Sequence, residues 1–242
     1  MPADAPDTIV IVSAYQEADR LGSTLSALAQ GFPGARVIVA DDGSRDGTDQ
    51  VALAAGVELV RSPRTIGKGG AMSRAAERVV DAGARVYVLC DGDLGETAGE
   101  LRRLASAVAD GGCDLAIAVF ARRVGGGFGA ALGFSRWATR RLTGLELSAP
   151  ISGQRALRGE VLRAVTPFAP RFGMETAMNV DAARAGFRVC EVELDLAHRA
   201  TGKTLGGFVH RIRQLGDFVL VYVRRRRGRR GAGHFLQDGR SG

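Results

Sequence analysis

Cysteine is scarce in this sequence: Cys90, Cys113 and Cys190 are the only three in 242 residues. Their number is odd, each lies in or beside an apolar segment, and no zinc-ligand spacing is present. The expectation is therefore small buried hydrophobes in a reducing compartment. Long apolar runs are missing too. None approaches the ~18 residues of a membrane-spanning helix, and the opening Met-Pro-Ala-Asp-Ala-Pro-Asp has neither the basic nor the apolar region of a signal peptide, which points to the cytoplasm. No Gly-x-Gly-x-x-Gly follows the first apolar run, which argues against a dinucleotide-dependent dehydrogenase. With no internal repeat and no linker, one sizeable domain is expected, built from 45% hydrophobic and 24% charged residues.

Positive charge is concentrated at one end. The formal net charge is +7, and from Arg224 onward seven arginines face one acid, Asp238, so six of those seven charges lie in the last residues. The body is close to neutral, which excludes a basic nucleic-acid-binding surface across it. The expected division is a folded domain over 1–223 and a basic, disordered tail over 224–242.

What is present is a run of strands ending in acids. Thr8 to Ser13 is a β-branched strand followed by Ala14-Tyr15-Gln16-Glu17-Ala18 and a helical pattern through Leu21, Leu25 and Leu28. Arg36 to Ala40 closes on Asp41-Asp42-Gly43-Ser44-Arg45-Asp46-Gly47-Thr48 before a helix over about 49–55. A third strand covers Val57 to Val60, and Ile66-Gly67-Lys68-Gly69-Gly70 opens a helix to about Val80. The fourth strand, Val86 to Cys90, ends in Asp91-Gly92-Asp93-Leu94. Alternation at this spacing predicts βαβ units, right-handed crossovers and a mostly parallel, Rossmann-like sheet flanked by helices. The second half is less regular: a helix over Glu100 to Val108, a strand over Leu115 to Phe120, a mobile glycine loop at Gly125 to Gly129, a helix over about 175–185, a strand over Arg188 to Leu194 and a last helix over about 207–223.

Three loops thus bring polar groups to one sheet edge, where open α/β sheets bind ligands. Asp91 and Asp93, two residues apart in an extended chain, can face one hard cation, Mg²⁺ or Mn²⁺, and Gly92 leaves room for a ligand near the backbone. Asp-Gly-Asp is equally ordinary turn chemistry. The acceptor groups after the first two strands suit a base or ribose, and Lys68 at a helix start suits a diphosphate.

The order Ser-Ala-Tyr-Gln-Glu-Ala, Asp-Asp-Gly-Ser-Arg-Asp-Gly-Thr, Gly-Lys-Gly-Gly-Ala-Met and Asp-Gly-Asp-Leu resembles family 2 glycosyltransferases of the GT-A fold. The resemblance implies that Ala14, Tyr15, Glu17 and Asp42 lie at the donor nucleoside, and that Asp91, Gly92 and Asp93 form the DXD motif for metal and sugar nucleotide. The Lys68 turn looks like that of polyprenyl-phosphate sugar synthases. Pro150-Ile151-Ser152-Gly153, Phe172-Gly173-Met174-Glu175-Thr176 and Ala197-His198-Arg199 are similar to glucosyl-3-phosphoglycerate synthases. That likeness implies His198 as a third metal ligand, Glu175 at the reacting sugar or acceptor, and Ser152, Gly153, Arg199 or Lys203 near an acceptor phosphate. Ala149-Pro150 lacks the acid usual ahead of Ser-Gly in the first group, and Gln154-Arg155 replaces the Glu-Tyr of the second.

The implied function is metal-dependent transfer of a sugar from a UDP- or GDP-linked donor to a phosphorylated acceptor, a polyprenyl phosphate or a small metabolite, with homodimerisation left open. The alternatives are a sugar-phosphate nucleotidyltransferase, for which Ala14 to Glu17 lacks the glycines and cation, and a non-catalytic nucleotide-sugar-binding protein. A helical stripe of Phe208, Ile212, Leu215, Val219 and Tyr222, followed by six arginines, fits either packing on the domain or peripheral docking on an anionic membrane surface.

Overall fold

The computed structural model describes residues 7–121, 129–196 and 216–226. Its strands are β1 (Thr8–Ala14), β2 (Arg36–Asp41), β3 (Glu58–Arg61), β4 (Val86–Asp91), β5 (Leu115–Phe120), β6 (Arg155–Leu157) and β7 (Val189–Leu194). They form one sheet in the order β3-β2-β1-β4-β6-β5-β7. All neighbours are parallel except β6, which runs antiparallel between β4 and β5. The helices are α1 (Leu21–Gly31), α2 (Thr48–Ala54), α3 (Lys68–Glu77), α4 (Arg102–Ala109), α5 (Gly129–Thr143), α6 (Gly159–Val165) and α7 (Met174–Arg184), with a further helix, α8, over residues 216–226.

The two-residue period of a strand explains the layering. Val10 and Val12 of β1 face α1 and α4, in a core with Leu21, Leu28, Leu104 and Val108. Ile9 and Ile11 face the other way, onto α3, α6 and α7, with Met72, Leu162 and Met178. All four β1 side chains are fully buried, each stabilising the fold by about 1.5–3 kcal/mol relative to exposure. The result is the expected α/β domain, a mostly parallel sheet between two helical layers.

Chain direction reverses around β1. The chain runs outward from β1 to β2 and β3, then returns to place β4 on the other side of β1. Ser13 of β1 and Asp91 of β4 are register partners at the carboxyl edge of that seam, which is the topological switch point where such sheets take ligands.

Several expectations are corrected. Cys113 and Cys190 are joined by a disulfide between neighbouring β5 and β7, 77 residues apart in sequence, and only Cys90 stays free and buried. Residue 129, expected in a mobile glycine loop, begins α5, a helix the sequence reading lacked; 125–128 lie outside the described residues. β6 and α6 were not expected either. In α8 the buried side chains are Phe218 and Val221, while Val219 is 41% exposed, so the inward face is offset from the expected Val219–Tyr222 stripe. Phe208, Ile212 and Leu215 lie outside the described residues. The helix also runs through Arg224 to residue 226, so order continues past position 223. Gly92 is closely approached by backbone: its N–H donates to the Ser13 carbonyl oxygen at 2.8 Å, and an added Cβ would lie 3.1 Å from that oxygen.

Candidate active site at the seam of β1 and β4

Asp91 ends β4 and is surrounded by donors. Ser13 Oγ donates to its Oδ1 at 2.8 Å and Gln154 Nε2 to its Oδ2 at 3.1 Å. Lys68 Nζ sits 2.7 Å from Asp91 Oδ1 and 2.9 Å from Glu175 Oε1. One ammonium thus bridges carboxylates from β4 and from the first turn of α7. Burial works against ionisation of Asp91, but the Lys68 charge and these hydrogen bonds prevail and hold its carboxyl below the usual range. Burial likewise opposes the Lys68 charge, and Asp91 and Glu175 raise its pKa above the ordinary lysine value despite it.

The position of Lys68 is set two loops away. Asp42 is buried; its Oδ1 accepts the Ile66 N–H at 2.7 Å and its Oδ2 the Gly67 N–H at 2.8 Å. This fixes the turn from which α3 starts. Desolvation raises the Asp42 pKa, against those two hydrogen bonds. The loop after β1 is strapped to the loop after β2: Ser44 Oγ accepts from Gln16 N–H, Thr48 Oγ1 from Glu17 N–H and Asp46 Oδ2 from Ala18 N–H. The Ala14 carbonyl accepts the Asp42 N–H at 3.0 Å. Between these straps Tyr15 stays 48% exposed, an aromatic ring open to a ligand at the edge.

The third wall is the loop before β6. Glu191 accepts the N–H groups of Ser148 and Ala149 and the Ser148 hydroxyl, and Arg136 donates to the Ser148 carbonyl. Below it Arg155, fully buried, donates from Nε to the Ser152 carbonyl at 2.9 Å, from Nη2 to the Pro150 carbonyl at 3.0 Å and from Nη1 to Asn179 Oδ1 at 2.7 Å. Burial pulls the Arg155 pKa down to about 10, against the attraction of Glu175 and Glu191. The loop so held places Gly153 against the ion pair: an added Cβ would lie 2.6 Å from Lys68 Nζ and 2.7 Å from Asp91 Oδ2. Ser152 Oγ and Gln154 Oε1 are buried there without a hydrogen-bond partner among the described residues, two polar atoms available to a ligand.

The structure therefore gathers Lys68, Asp91, Ser152, Gly153 and Glu175, with Ala14, Tyr15, Glu17 and Asp42 along the same edge. Asp93 lies two residues beyond Asp91, half-buried. His198, Arg199 and Lys203 lie outside the described residues, as do Arg122 and Arg123, which follow β5. Sequence reasoning missed Ser13, Gln154 and Asn179, and gave Arg155 no role. A basic residue opening a strand was the one available signal. Among the described residues no three His, Cys, Asp or Glu side chains cluster to cage a metal. Two carboxylates still fit a Mg²⁺-type ion, which keeps several waters and takes substrate phosphate oxygens.

A switch-point edge with paired acids, a half-buried lysine at a helix start and an exposed aromatic defines a nucleotide-handling α/β enzyme. The model of glycosyl transferase family 2 matches residues 9–165, and the chain belongs to that family. It is 32% identical to an undecaprenyl-phosphate mannosyltransferase of Micrococcus luteus over 83% of this chain and 88% of that protein. It is 31% identical to a polyprenol monophosphomannose synthase of Mycolicibacterium smegmatis, over 81% and 79%. In fold it is similar to the glucosyl-3-phosphoglycerate synthase of Mycobacterium tuberculosis in complex with Mn²⁺ and UDP-glucose, with a TM-score of 0.71 and 26% identity over 90% of this chain and 79% of that one.

Proposed function

We propose that this glycosyltransferase moves a hexosyl group from a UDP- or GDP-linked donor to the phosphate of a polyprenyl phosphate. The observation that carries the reading is the Asp91–Lys68–Glu175 bridge, a cation held between two carboxylates where a diphosphate and an acceptor phosphate must meet. Support for the lipid acceptor comes from the two relatives above 30% identity, both named for polyprenyl phosphates.

Asp91 and Asp93 would hold the divalent ion, with His198 as a further ligand; when bound, the ion neutralises charge on the departing nucleotide. Tyr15 stacks on the base, and Ala14, Glu17 and Asp42 border the nucleoside, Asp42 also fixing the Lys68 turn. Lys68 turns from the carboxylates toward the donor phosphates. Ser152 Oγ and the backbone at Gly153 meet the acceptor phosphate, assisted by Arg199 and Lys203. A phosphate monoester, with a second pKa near ~6, is already ionised at neutral pH. Its attacking oxygen needs no general base, so Glu175 orients Lys68 and the acceptor instead of taking a proton. The reaction places the protein on the cytoplasmic side, peripheral to the membrane that holds its acceptor.

The test is transfer from labelled UDP- and GDP-hexoses to a polyprenyl phosphate or to 3-phosphoglycerate, with Mn²⁺ or chelator. Lipid-linked product that disappears with chelator and in Asp91→Asn is expected. Transfer to 3-phosphoglycerate alone would overturn the acceptor, and metal-independent turnover would overturn the role of the acids.

A further inference from the structure

Among the described residues, the helical layer that carries Glu175 has an apolar outer face exposed. α8 lies along α7: Gly173 approaches Val221 so closely that an added Cβ would be 2.6 Å from Val221 Cγ2, and at the far end Arg225 Nε donates to Asp181 Oδ1 at 2.7 Å. α5 joins the same layer, with Ser135 Oγ and Thr176 Oγ1 2.7 Å apart. α5 and α8 meet through Trp137 and Tyr222, whose ring centroids are 4.8 Å apart.

Residues 218–223 of α8 are apolar all round, Phe-Val-Leu-Val-Tyr-Val. Such a helix is normally enclosed on every side, yet only Phe218 and Val221 are buried. Val219, Leu220 and Val223 remain exposed, at 41%, 42% and 37%, beside Trp137 at 50%. These are four of the seven large exposed hydrophobics in the described residues. Helical spacing of three and four places Arg226 on the line of Val219 and Val223, and Arg224 on that of Leu220. On α5, Arg140 and Arg141 stand one turn beyond Trp137. α5 contains no acid at all, and the one acid of α8, Asp217, is turned inward with its side chain 12% exposed, 3.8 Å from Arg171.

We infer that this α5–α8 face is a docking surface for an anionic lipid bilayer, with Trp137, Val219, Leu220 and Val223 entering the interface and the arginines at the headgroups. Arg140 is paired with the exposed Glu146 at 3.2 Å, and Arg141, Arg224 and Arg226 leave the rim positive, which complements anionic lipid. Among the described residues no helix is long and apolar enough to cross a membrane, so the contact is with the bilayer surface. Because both helices pack on α7, docking brings the Glu175 end of that helix to the surface holding a lipid-phosphate acceptor. The assignment differs from a tail-only anchor: it places the contact on folded helices and needs Trp137.

The experiment is co-sedimentation of the full chain with vesicles of phosphatidylcholine alone or with 30% phosphatidylglycerol, alongside analytical ultracentrifugation without lipid. Variants are Trp137→Ala, Val219→Asp/Val223→Asp and Arg224→Gln/Arg226→Gln, each checked by thermal unfolding. Wild type is expected on the anionic vesicles only, released by salt. The arginine pair, which leaves the apolar packing untouched, should lose about fivefold in partitioning per residue, roughly 25-fold together. Transfer to a water-soluble, short-chain prenyl phosphate should be unchanged in all variants, so a failed docking result and a failed transferase reading are told apart. Equal sedimentation of Trp137→Ala and the arginine pair with wild type would overturn the proposal. So would equal binding to neutral vesicles, or a wild-type dimer that Val219→Asp/Val223→Asp dissociates, which would assign the face to a second copy of the chain.

Discussion

Replacing Lys68 by methionine keeps most of the side-chain volume and removes the bridging charge. At the observed separations of 2.7 and 2.9 Å, each ion pair is worth about 6 kcal/mol gross at an effective dielectric near 20. Desolvating the ammonium offsets much of that, and breaking a buried pair by deleting one partner costs about 3–5 kcal/mol net. Asp91 is 31% exposed while Glu175 is 7% exposed, so water recovers part of the loss on one side only. Lys68→Met should therefore destabilise the protein by about 3 kcal/mol at pH 7. The sign with pH follows from the shifts. Asp91 is lowered, so its contribution is present above the unfolded value and fades as pH falls through the folded one; Lys68 is raised, so its contribution is complete below the unfolded lysine value. The gap between variant and wild type should be full from about pH 5 to 10 and begin to close only as pH falls below the ordinary aspartate value of about 4. Urea denaturation at pH 7 and pH 3, with and without Mn²⁺, measures both. Manganese should stabilise the variant more than the wild type, since in the wild type it competes with a resident ammonium for Asp91. A variant within ~0.5 kcal/mol of wild type at pH 7, or one that gains less from Mn²⁺, would refute the bridging role.

Gly153→Ala puts a methyl group into the 2.6–2.7 Å gaps to Lys68 Nζ and Asp91 Oδ2, so turnover should fall at least tenfold with little change in melting temperature, because the lysine end can move while the chemistry cannot spare it. Arg155→Met leaves the Ser152 carbonyl and Asn179 Oδ1 without their donor; a loss of about 2–4 kcal/mol in chemical denaturation is expected, with Arg155→Lys recovering part of it. Glu175→Gln should lower kcat more than donor affinity measured by nucleotide titration, whereas a purely structural glutamate would lower melting temperature and spare kcat. Asp114, which accepts hydrogen bonds from Arg188 and is paired with Arg158, has its pKa lowered chiefly by Arg188. Asp114→Asn should cost no more than about 1 kcal/mol at pH 7 because both arginines are exposed, and the difference should shrink in an acid titration of stability as pH falls below the ordinary aspartate value of about 4.

The first four strands were legible because parallel strands buried on both faces are short continuous apolar runs, and because their acids fall where the runs stop. α5 was not legible for a definite reason: of its buried side chains Ala131, Ser135, Ala138, Thr139 and Leu142, all but Leu142 are small or hydroxylated, so one large apolar residue is too few to mark a helical period. α8 gave the opposite difficulty, since a helix apolar all round has no period from which to choose its inward face. β6 is three residues long, shorter than any pattern can mark. The Cys113–Cys190 bond depends on β5 and β7 lying side by side, with Leu115 opposite Val189, a relation between segments far apart in the chain. In the site, Asp91, Lys68 and Glu175 were each visible as single residues in suggestive turns, but their mutual contact required the β1–β4 seam and α7 together. Asn179 carried no visible signal and Arg155 only that of a basic residue opening a strand, because both act beneath the loop, through its carbonyl oxygens.

The charges of the site account for what it must recruit. Asp91 and Glu175 are matched by Lys68 and the buried Arg155, so the inner site is close to neutral. A nucleoside diphosphate and an acceptor phosphate together introduce several negative charges into a region already only partly exposed to water. Lys68 cannot neutralise them while also holding two carboxylates, and Arg155 cannot turn to them because its guanidinium is committed to three acceptors. Further positive charge has to arrive with the substrates or from outside the described core. On the proposed function, a divalent ion held by Asp91 and Asp93 would supply two positive charges and would compete with Lys68 for Asp91, which would couple donor binding to release of the bridge. On the same reading, ion and donor would enter first, Lys68 would swing to the diphosphate, and Glu175, relieved of its share of the ammonium, would become available to the acceptor only once the donor is in place.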